Sequence, residues 1–337
     1  MARANGPTKS ALQSLLTQLD DIEHGPGGGV ITLPEGQLQV SNLRKTFWPS
    51  AASERNKPAA PRGRTRSALT KGDLFRHYVR VAPMILPVLA DRPLVMKRYP
   101  NGVAGAPFYQ HRAPDKVPPG VHIETVTTGS ETRQHLVGGT LTTLLYTAQL
   151  GSISQDPWFS RVGSADQIDH VAIDLDPPED LPYARVLDVA RWVRDALAVL
   201  KATGFAKTSG AGGLHVYVPM RPGTSYESGL LFAQIVATMV AERHPKQATV
   251  ERSIKARGRR VYVDYMQNGL GKTLASAYSA RASEFAGVST PLTWEEVEGG
   301  VSPRDFTVAN FDARMKVAGD PWRALRTTKG PELQFRN

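Results

Sequence analysis

The chain has 337 residues, 41% of them hydrophobic, enough for a substantial core and too many for wholesale disorder. It has no cysteine, which excludes disulfides, thiol nucleophiles and Cys-liganded zinc, so any metal must be held by oxygen or imidazole. Lysine and arginine number 41 against 31 aspartate and glutamate, and the net +10 favours a polyanionic partner.

Residues 1–36 read as an N-terminal extension of unassigned function. They hold a short amphipathic stretch (Leu12, Leu15, Leu16, Leu19), then the flexible run Gly25-Pro26-Gly27-Gly28-Gly29. No apolar signal core is present near Met1, and the longest apolar run, near Val81 to Ala90, is interrupted by Pro83 and Pro87. A cytoplasmic, nucleoid-associated protein with no membrane partner is expected. Between Arg44 and Arg80 ten basic residues, among them Lys45, Arg64, Arg66 and Lys71, face only Glu54 and Asp73. Residues 50–68 lack periodic hydrophobics and read as a flexible basic loop. Such a cluster suits either a solvated cationic face or a nucleic-acid contact.

Thr70 is expected to cap a helix with Leu74, Tyr78, Val81 and Ala82 on one face, kinked or ended by Pro83. Downstream, strands and helices alternate: strand 171–176, helix 182–200, strand 214–219, helix 225–243, strand 260–266. The pattern indicates a mixed α/β (α+β) core, with a central sheet flanked by helices. A single domain over 37–330 and a short tail, 331–337, complete the expected organisation. A second basic cluster, Arg243 to Arg260, sets seven cations against Glu251.

Two carboxylates interrupt the apolar run His170-Val-Ala-Ile-Asp174-Leu-Asp176-Pro-Pro. Period-2 geometry puts Asp174 and Asp176 on one face, where like charges repel unless cations lie between them. An aspartate ahead of Pro-Pro also simply starts turns, so the pair alone is weak evidence. Asp264 adds a third, again inside an apolar strand, where an unpaired charge would cost several kcal/mol. Three strand-borne aspartates that converge would suit two-metal nucleotidyl transfer. Between them, Ser209-Gly210-Ala-Gly212-Gly-Leu-His215 offers a flexible backbone nest, a hydroxyl and an imidazole to phosphate oxygens, or merely a turn followed by a buried histidine. Gly271-Lys272-Thr273 is no P-loop, because the required first glycine would fall at Met266.

As a set, these motifs resemble the polymerase domain of bacterial DNA ligase D and its stand-alone relatives, in the archaeo-eukaryotic primase superfamily. The likeness spans about 37–325 and includes Asp174-Leu-Asp176-Pro, Ser209-Gly-x-Gly-Gly-Leu-His215, Val263-Asp264-Tyr265-x-x-Asn268, Tyr278-Ser279-x-Arg281 and Pro291-Leu-x-Trp294. The resemblance implies a primase-like fold, with Asp174, Asp176 and Asp264 as catalytic ligands of two Mn²⁺ or Mg²⁺ ions. It implies that Ser209, Gly210, Gly212, His215, Ser279 and Arg281 bind the incoming nucleotide. It further implies that Lys45 and Lys71 bind the 5′-phosphate of a DNA gap. Phe108 and Tyr109 would stack on template bases, with Arg112, Arg64 and Arg66 as further DNA contacts.

The sequence departs from the family in three places, one of them the 50–68 loop, which is longer than in ligase D. The family histidine shortly before Trp158 is missing from Ser154-Gln155-Asp156-Pro157, where Gln155 is the expected substitute. The arginine after the third aspartate is Gln267, with Lys272 as the compensating cation. The expected function is template-directed primase-polymerase gap filling with NTPs or dNTPs in DNA repair, by base excision or non-homologous end joining. A separately encoded ligase is the expected partner, because no Lys-x-Asp-Gly adenylation motif occurs. The competing readings are a non-catalytic gapped-DNA-binding module and a metal-dependent nuclease.

Overall fold

The computed structural model describes residues 6–50 and 67–333. Helix α1 (Lys9–His24) opens at Thr8, whose side chain accepts the Ala11 N–H at 3.2 Å. Its leucine stripe, Leu12, Leu15 and Leu19, is buried. The hairpin β1 (Gly29–Leu33) and β2 (Gly36–Val40) turns Ile31, Leu33, Leu38 and Val40 into the same core. The region that reads in sequence as an extension is thus packed from α1 onward. Its leucines find a partner helix some sixty residues away, which periodicity cannot reveal.

Strands β3 (Thr46–Trp48) and β4 (Leu69–Thr70) pair antiparallel and lead into α2 (Lys71–Leu89). Thr70 and Asp73 form a reciprocal capping box at its start. Helix α1 is fastened to α2 by Arg76, which pairs with Asp20 at 2.7 Å and with Glu23. The helix does not end at Pro83 but runs through both Pro83 and Pro87. A proline inside a helix costs about 3 kcal/mol. Leu74, Phe75, Tyr78, Val79, Val81, Ala82 and Ile85 are all fully buried, and at about 1.5–3 kcal/mol for each large side chain their burial outweighs both prolines.

A small sheet follows, with β5 (Leu94–Arg98) between β6 (Phe108–Gln110) and, beyond the hairpin β7 (Ile123–Thr128) and β8 (Glu131–Leu136) and helix α3 (Leu141–Gln149), β9 (Asp156–Pro157). The C-terminal half builds the larger sheet. In chain order it comprises β10 (His170–Asp176), α4 (Tyr183–Val199), β11 (Phe205–Thr208), β12 (Leu214–Pro219), α5 (Tyr226–Arg243), β13 (Ala248–Thr249), the single turn α6 (Ile254–Arg257), β14 (Val261–Asp264) and β15 (Pro291–Leu292). The spatial order is β13-β14-β10-β12-β11-β15, antiparallel throughout except for β13 with β14.

Helices α4 and α5 pack against this sheet through Val186, Val189, Val193 and Leu197 and through Phe232, Val236 and Val240. Pro182 sits at the N-cap of α4 rather than inside its first turn, and Ser225 caps α5 with its side chain. Helices α7 (Trp294–Gly299) and α8 (Phe311–Ala318) close the C-terminal side. The architecture is the expected mixed α/β one, with one dominant core joining both halves. Among the described residues, no helix is long and apolar enough to cross a membrane.

Candidate active site

The register of the large sheet brings the predicted residues together. Asp174 on β10 lies directly opposite Asp264 on β14 and, on its other side, opposite His215 on β12. His215 in turn faces Lys207 on β11. Directly opposed residues point to the same face, so Asp264, Asp174, His215 and Lys207 form one row across four neighbouring strands. Asp176, two residues beyond Asp174, joins that face beside Tyr262.

The register is locked by Asn268, a fully buried residue just beyond β14. Where β14 stops pairing, the Asn268 side chain substitutes for a strand residue opposite Ala172. Its Oδ1 accepts the Ala172 N–H at 2.7 Å, and its Nδ2 donates to the Ala172 carbonyl, also at 2.7 Å. Nδ2 also donates to the Tyr265 carbonyl at 2.7 Å.

The carboxylates are held by different partners. Asp264 accepts from the Met266 N–H at 2.7 Å, from Gln267 Nε2 at 2.9 Å and from the Tyr262 hydroxyl at 3.2 Å. Asp176 faces Arg257 of α6 at 3.5 Å, and the Arg257 guanidinium lies 3.7 Å from the Tyr262 ring centroid. Asp174 has His215 Nε2 at 3.4 Å. Burial, and then the charges of Asp176 and Asp264, lift the Asp174 pKa to about 7. Burial also raises that of Asp176, opposed by Arg257.

Among the described residues, no three acidic or imidazole side chains are drawn in tightly enough to ligate an ion as they stand. The donor chemistry nonetheless fits hard divalent cations. All three groups are oxygen donors on one face, and Asp174 and Asp176 have their ionised forms penalised by burial and by neighbouring carboxylates.

A cavity of about 310 Å³ opens over the middle of this row, lined by Asp174, Asp176, Ser209, Gly212, His215 and Arg281 among others, while Asp264 and Lys207 stay outside its lining. A larger cavity, about 790 Å³, lies at the opposite end of β10 and β12 around His170 and Pro219, and none of the three aspartates borders it. The glycine loop is ordered from within: Ser209 Oγ accepts the N–H groups of Ala211 and Gly213 at 3.1 and 3.0 Å. Part of the expected donor nest is therefore already consumed. Gly210 has φ +75°, and a Cβ there would come within 2.5 Å of Arg281 Cγ. Its role is to let Arg281 pass, and Arg281 donates to the Ser209 carbonyl at 2.6 Å.

Other predicted residues are placed differently. Ser279 is fully buried, its hydroxyl accepting the Gln155 N–H at 2.9 Å, and it does not border the cavity. Gln155 is buried against Thr147. Its neighbour Asp156 is the residue that lines the cavity, with Ser154 donating to it at 2.6 Å. Burial raises the Asp156 pKa, with Arg281 as the main opposing charge. Lys272 is exposed and outside the cavity lining, and Gln267 acts on Asp264 directly.

Sequence reasoning passed over Lys207, Asp156 and Lys97. The only signal for Asp156 was its proximity to Trp158; Lys207 had none, lying outside the Ser209–His215 motif.

Phe108 and Tyr109 on β6 are 46% and 63% exposed, large fractions for aromatic side chains. Lys97 and Arg98 on β5 sit over them, 5.4 Å from the Tyr109 centroid and 5.1 Å from that of Phe108. Arg112 is exposed just past β6. Lys45 donates to Asn101 at 2.9 Å. Lys71 is 5% exposed, and its ammonium donates to the carbonyls of Ser41 and Gln149 and to Gln149 Oε1. Burial, then Lys45 and Arg98, lower its pKa to about 8. Arg64 and Arg66, with nearly all of the 50–68 loop, lie outside the described residues.

A family model of the LigD primase-polymerase domain matches residues 70–322. The bifunctional non-homologous end joining protein LigD of Bacillus subtilis is 31% identical over 254 residues, covering 75% of this chain and 41% of that protein. The multifunctional non-homologous end joining DNA repair protein LigD of Mycobacterium tuberculosis H37Rv is 32% identical over 272 residues, covering 78% and 34% respectively. The chain thus spans well under half the length of these curated relatives. A solved structure of the polymerase domain from Mycobacterium tuberculosis ligase D, in complex with DNA, matches with a TM-score of 0.74 at 28% identity. That match covers 87% of this chain and 99% of the other.

Proposed function

The chain belongs to the LigD primase-polymerase domain family, and on that footing we propose that it is a template-directed nucleotidyltransferase that extends a primer 3′-hydroxyl across short gaps during DNA repair. The observation that carries this reading is the register that sets Asp174 between Asp264 and His215, with Asp174, Asp176 and His215 bordering one cavity. Asp174, Asp176 and Asp264 are the residues that would hold divalent cations, Mn²⁺ or Mg²⁺. Ions bound there would favour the ionised 3′-hydroxyl and neutralise charge on the triphosphate and pyrophosphate.

The remaining roles belong to the chain's own groups. Arg281 at the cavity wall supplies fixed positive charge to a polyphosphate, and His215 supplies a ring N–H. Ser209 acts chiefly by holding its loop, through the two N–H groups its oxygen accepts. Phe108 and Tyr109 offer exposed faces on which template bases would stack, with Lys97 and Arg98 drawing the backbone. Lys45 and Arg98 both bear on Lys71 as like charges, an arrangement that a DNA 5′-phosphate would relieve. Ribo- and deoxyribonucleotides are both candidate substrates, and a ligase acting on the filled gap is the proposed partner.

Extension of a labelled primer on a gapped template, with Asp174→Ala and Asp264→Ala as controls, tests this reading. Wild type is expected to add nucleotides, and either substitution to abolish addition while DNA affinity stays within about threefold. Primer shortening would indicate a nuclease, and binding without any product a non-catalytic DNA-binding module. Synthesis retained in either variant would refute the site.

A further inference from the structure

Lys207 is fully buried beneath the cavity and bonded by none of the groups proposed to meet metal. Among the described residues its Nζ has three hydrogen-bond partners: His215 Nδ1 at 2.8 Å, the Ala275 carbonyl at 2.9 Å and Ser289 Oγ at 2.6 Å. Ser289 gives its own proton to the Thr208 carbonyl at 2.9 Å, so its oxygen accepts from Lys207. The Ala275 carbonyl can only accept. Two of the three ammonium hydrogens are thereby assigned, and the third points at the histidine ring.

The far side of that ring decides which way the last bond runs. His215 Nε2 faces Asp174 Oδ1 at 3.4 Å. With Lys207 charged and Asp174 ionised, as a cation-binding site requires, a ring proton on Nδ1 would turn the Nε2 lone pair toward a carboxylate and leave one Lys207 hydrogen without an acceptor. With the proton on Nε2, all three ammonium hydrogens find acceptors and Nε2–H points at the carboxylate. Burial and Arg281 press the ammonium well below its ordinary pKa, while Asp174 and Asp156 draw it back. The two fixed acceptors, the Ala275 carbonyl and Ser289 Oγ, support the charged form against that pressure.

We propose that Lys207 is a positioning residue that fixes His215 in its Nε2–H tautomer, keeping a hydrogen-bond donor on the cavity side of the ring, beside Asp174, where an incoming polyphosphate would meet it. A histidine's tautomer is set by the bond made at its other nitrogen, and Lys207 makes that bond from below the cavity floor. The proposal deepens the nucleotidyltransferase reading and rests on it only for the identity of the ligand.

Two measurements on the full chain test it. In long-range ¹⁵N–¹H correlation spectra of ¹⁵N-histidine protein, the His215 signals, assigned by their loss in His215→Ala, should report Nε2–H at neutral pH. An Nδ1–H pattern in wild type would overturn the proposal. In primer extension with ATP, Lys207→Met should raise the KM about 10–100-fold, the worth of one charge-assisted hydrogen bond, with a smaller change in kcat. Lys207→Met added to His215→Ala should cost nothing further. Effects that multiply in the double variant would show that Lys207 acts independently of His215, and would also overturn the proposal. Lys207→Gln, which keeps a donor, should recover part of the loss; if Lys207→Met does not fold, the wild-type spectrum and this variant decide. Absence of extension by wild type would refute the polymerase reading instead, and the spectrum would then decide the tautomer alone.

Discussion

Replacing Asn268 by alanine isolates the contact that sets the register between the strands carrying Asp174 and Asp264. The substitution deletes three bonds of 2.7 Å in a fully buried setting. It strands the Ala172 N–H and carbonyl in the interior of the sheet and leaves the Tyr265 carbonyl short of a donor. At roughly 1–1.5 kcal/mol per neutral bond, with more where a buried group stays unpaired, the loss sums to about 3–5 kcal/mol. That is a large part of the ~5–15 kcal/mol that holds a typical protein folded. With an unfolding entropy of about 2.1 cal/mol/K per residue, the melting temperature should fall by about 4–7 °C.

Urea denaturation followed by circular dichroism measures the free energy, and calorimetry the melting point. Asn268→Asp is the sharper companion, because it keeps the shape and one acceptor. It places a carboxylate oxygen where an N–H₂ group faced two carbonyls. Burial beside those carbonyls raises the folded-state pKa of the new acid above its unfolded value. The variant should therefore be least stable above neutral pH and regain stability as the pH falls and the acid protonates. A cost below about 1 kcal/mol for the alanine variant, judged against the same scale, would refute the reasoning. So would wild-type stability for the aspartate variant at pH 8.

Lys71 provides a pH test of opposite sign. Its folded pKa of about 8 lies below the ordinary 10.5, so between those values the unfolded chain binds more protons, and folding gains stability as the pH rises. The stability of wild type relative to Lys71→Met, followed by urea denaturation at pH 7, 8.5 and 10, should increase over that window; a flat difference contradicts the assignment. Lys45→Ala should weaken binding to 5′-phosphorylated gaps more than to unphosphorylated ones, and reduce the salt slope by about 0.9 in fluorescence-anisotropy titrations. Equal loss on both substrates would remove the phosphate contact. Tyr109→Ala and Phe108→Ala should each cost about 1–3 kcal/mol of template affinity with little change in melting temperature, since both rings are largely exposed. A matching loss of fold stability would mark them as packing residues.

The amino-acid sequence alone made the acidic and glycine-rich motifs visible. Aspartates inside apolar strands are costly enough to stand out, and the Asp174-Leu-Asp176, Ser209–His215 and Asp264 motifs could be read with their strands because alternation and helical periodicity are local properties. Thr70 as a cap and the leucine stripe of α1 were legible for the same reason. Tertiary structure decided what depends on residues far apart in the chain. Burial on every side carried α2 through two prolines, and a distant helix turned the N-terminal leucines into core.

Strand register set Asp174 between Asp264 and His215 and slid Lys207 under the histidine. It also turned Asp156, rather than Gln155, toward the cavity. Whether a lysine or a serine reaches solvent depends on which oxygens surround it after the chain has closed. That is why Lys71 and Ser279, conspicuous as motif residues, proved to be tied to carbonyl and backbone groups inside the fold.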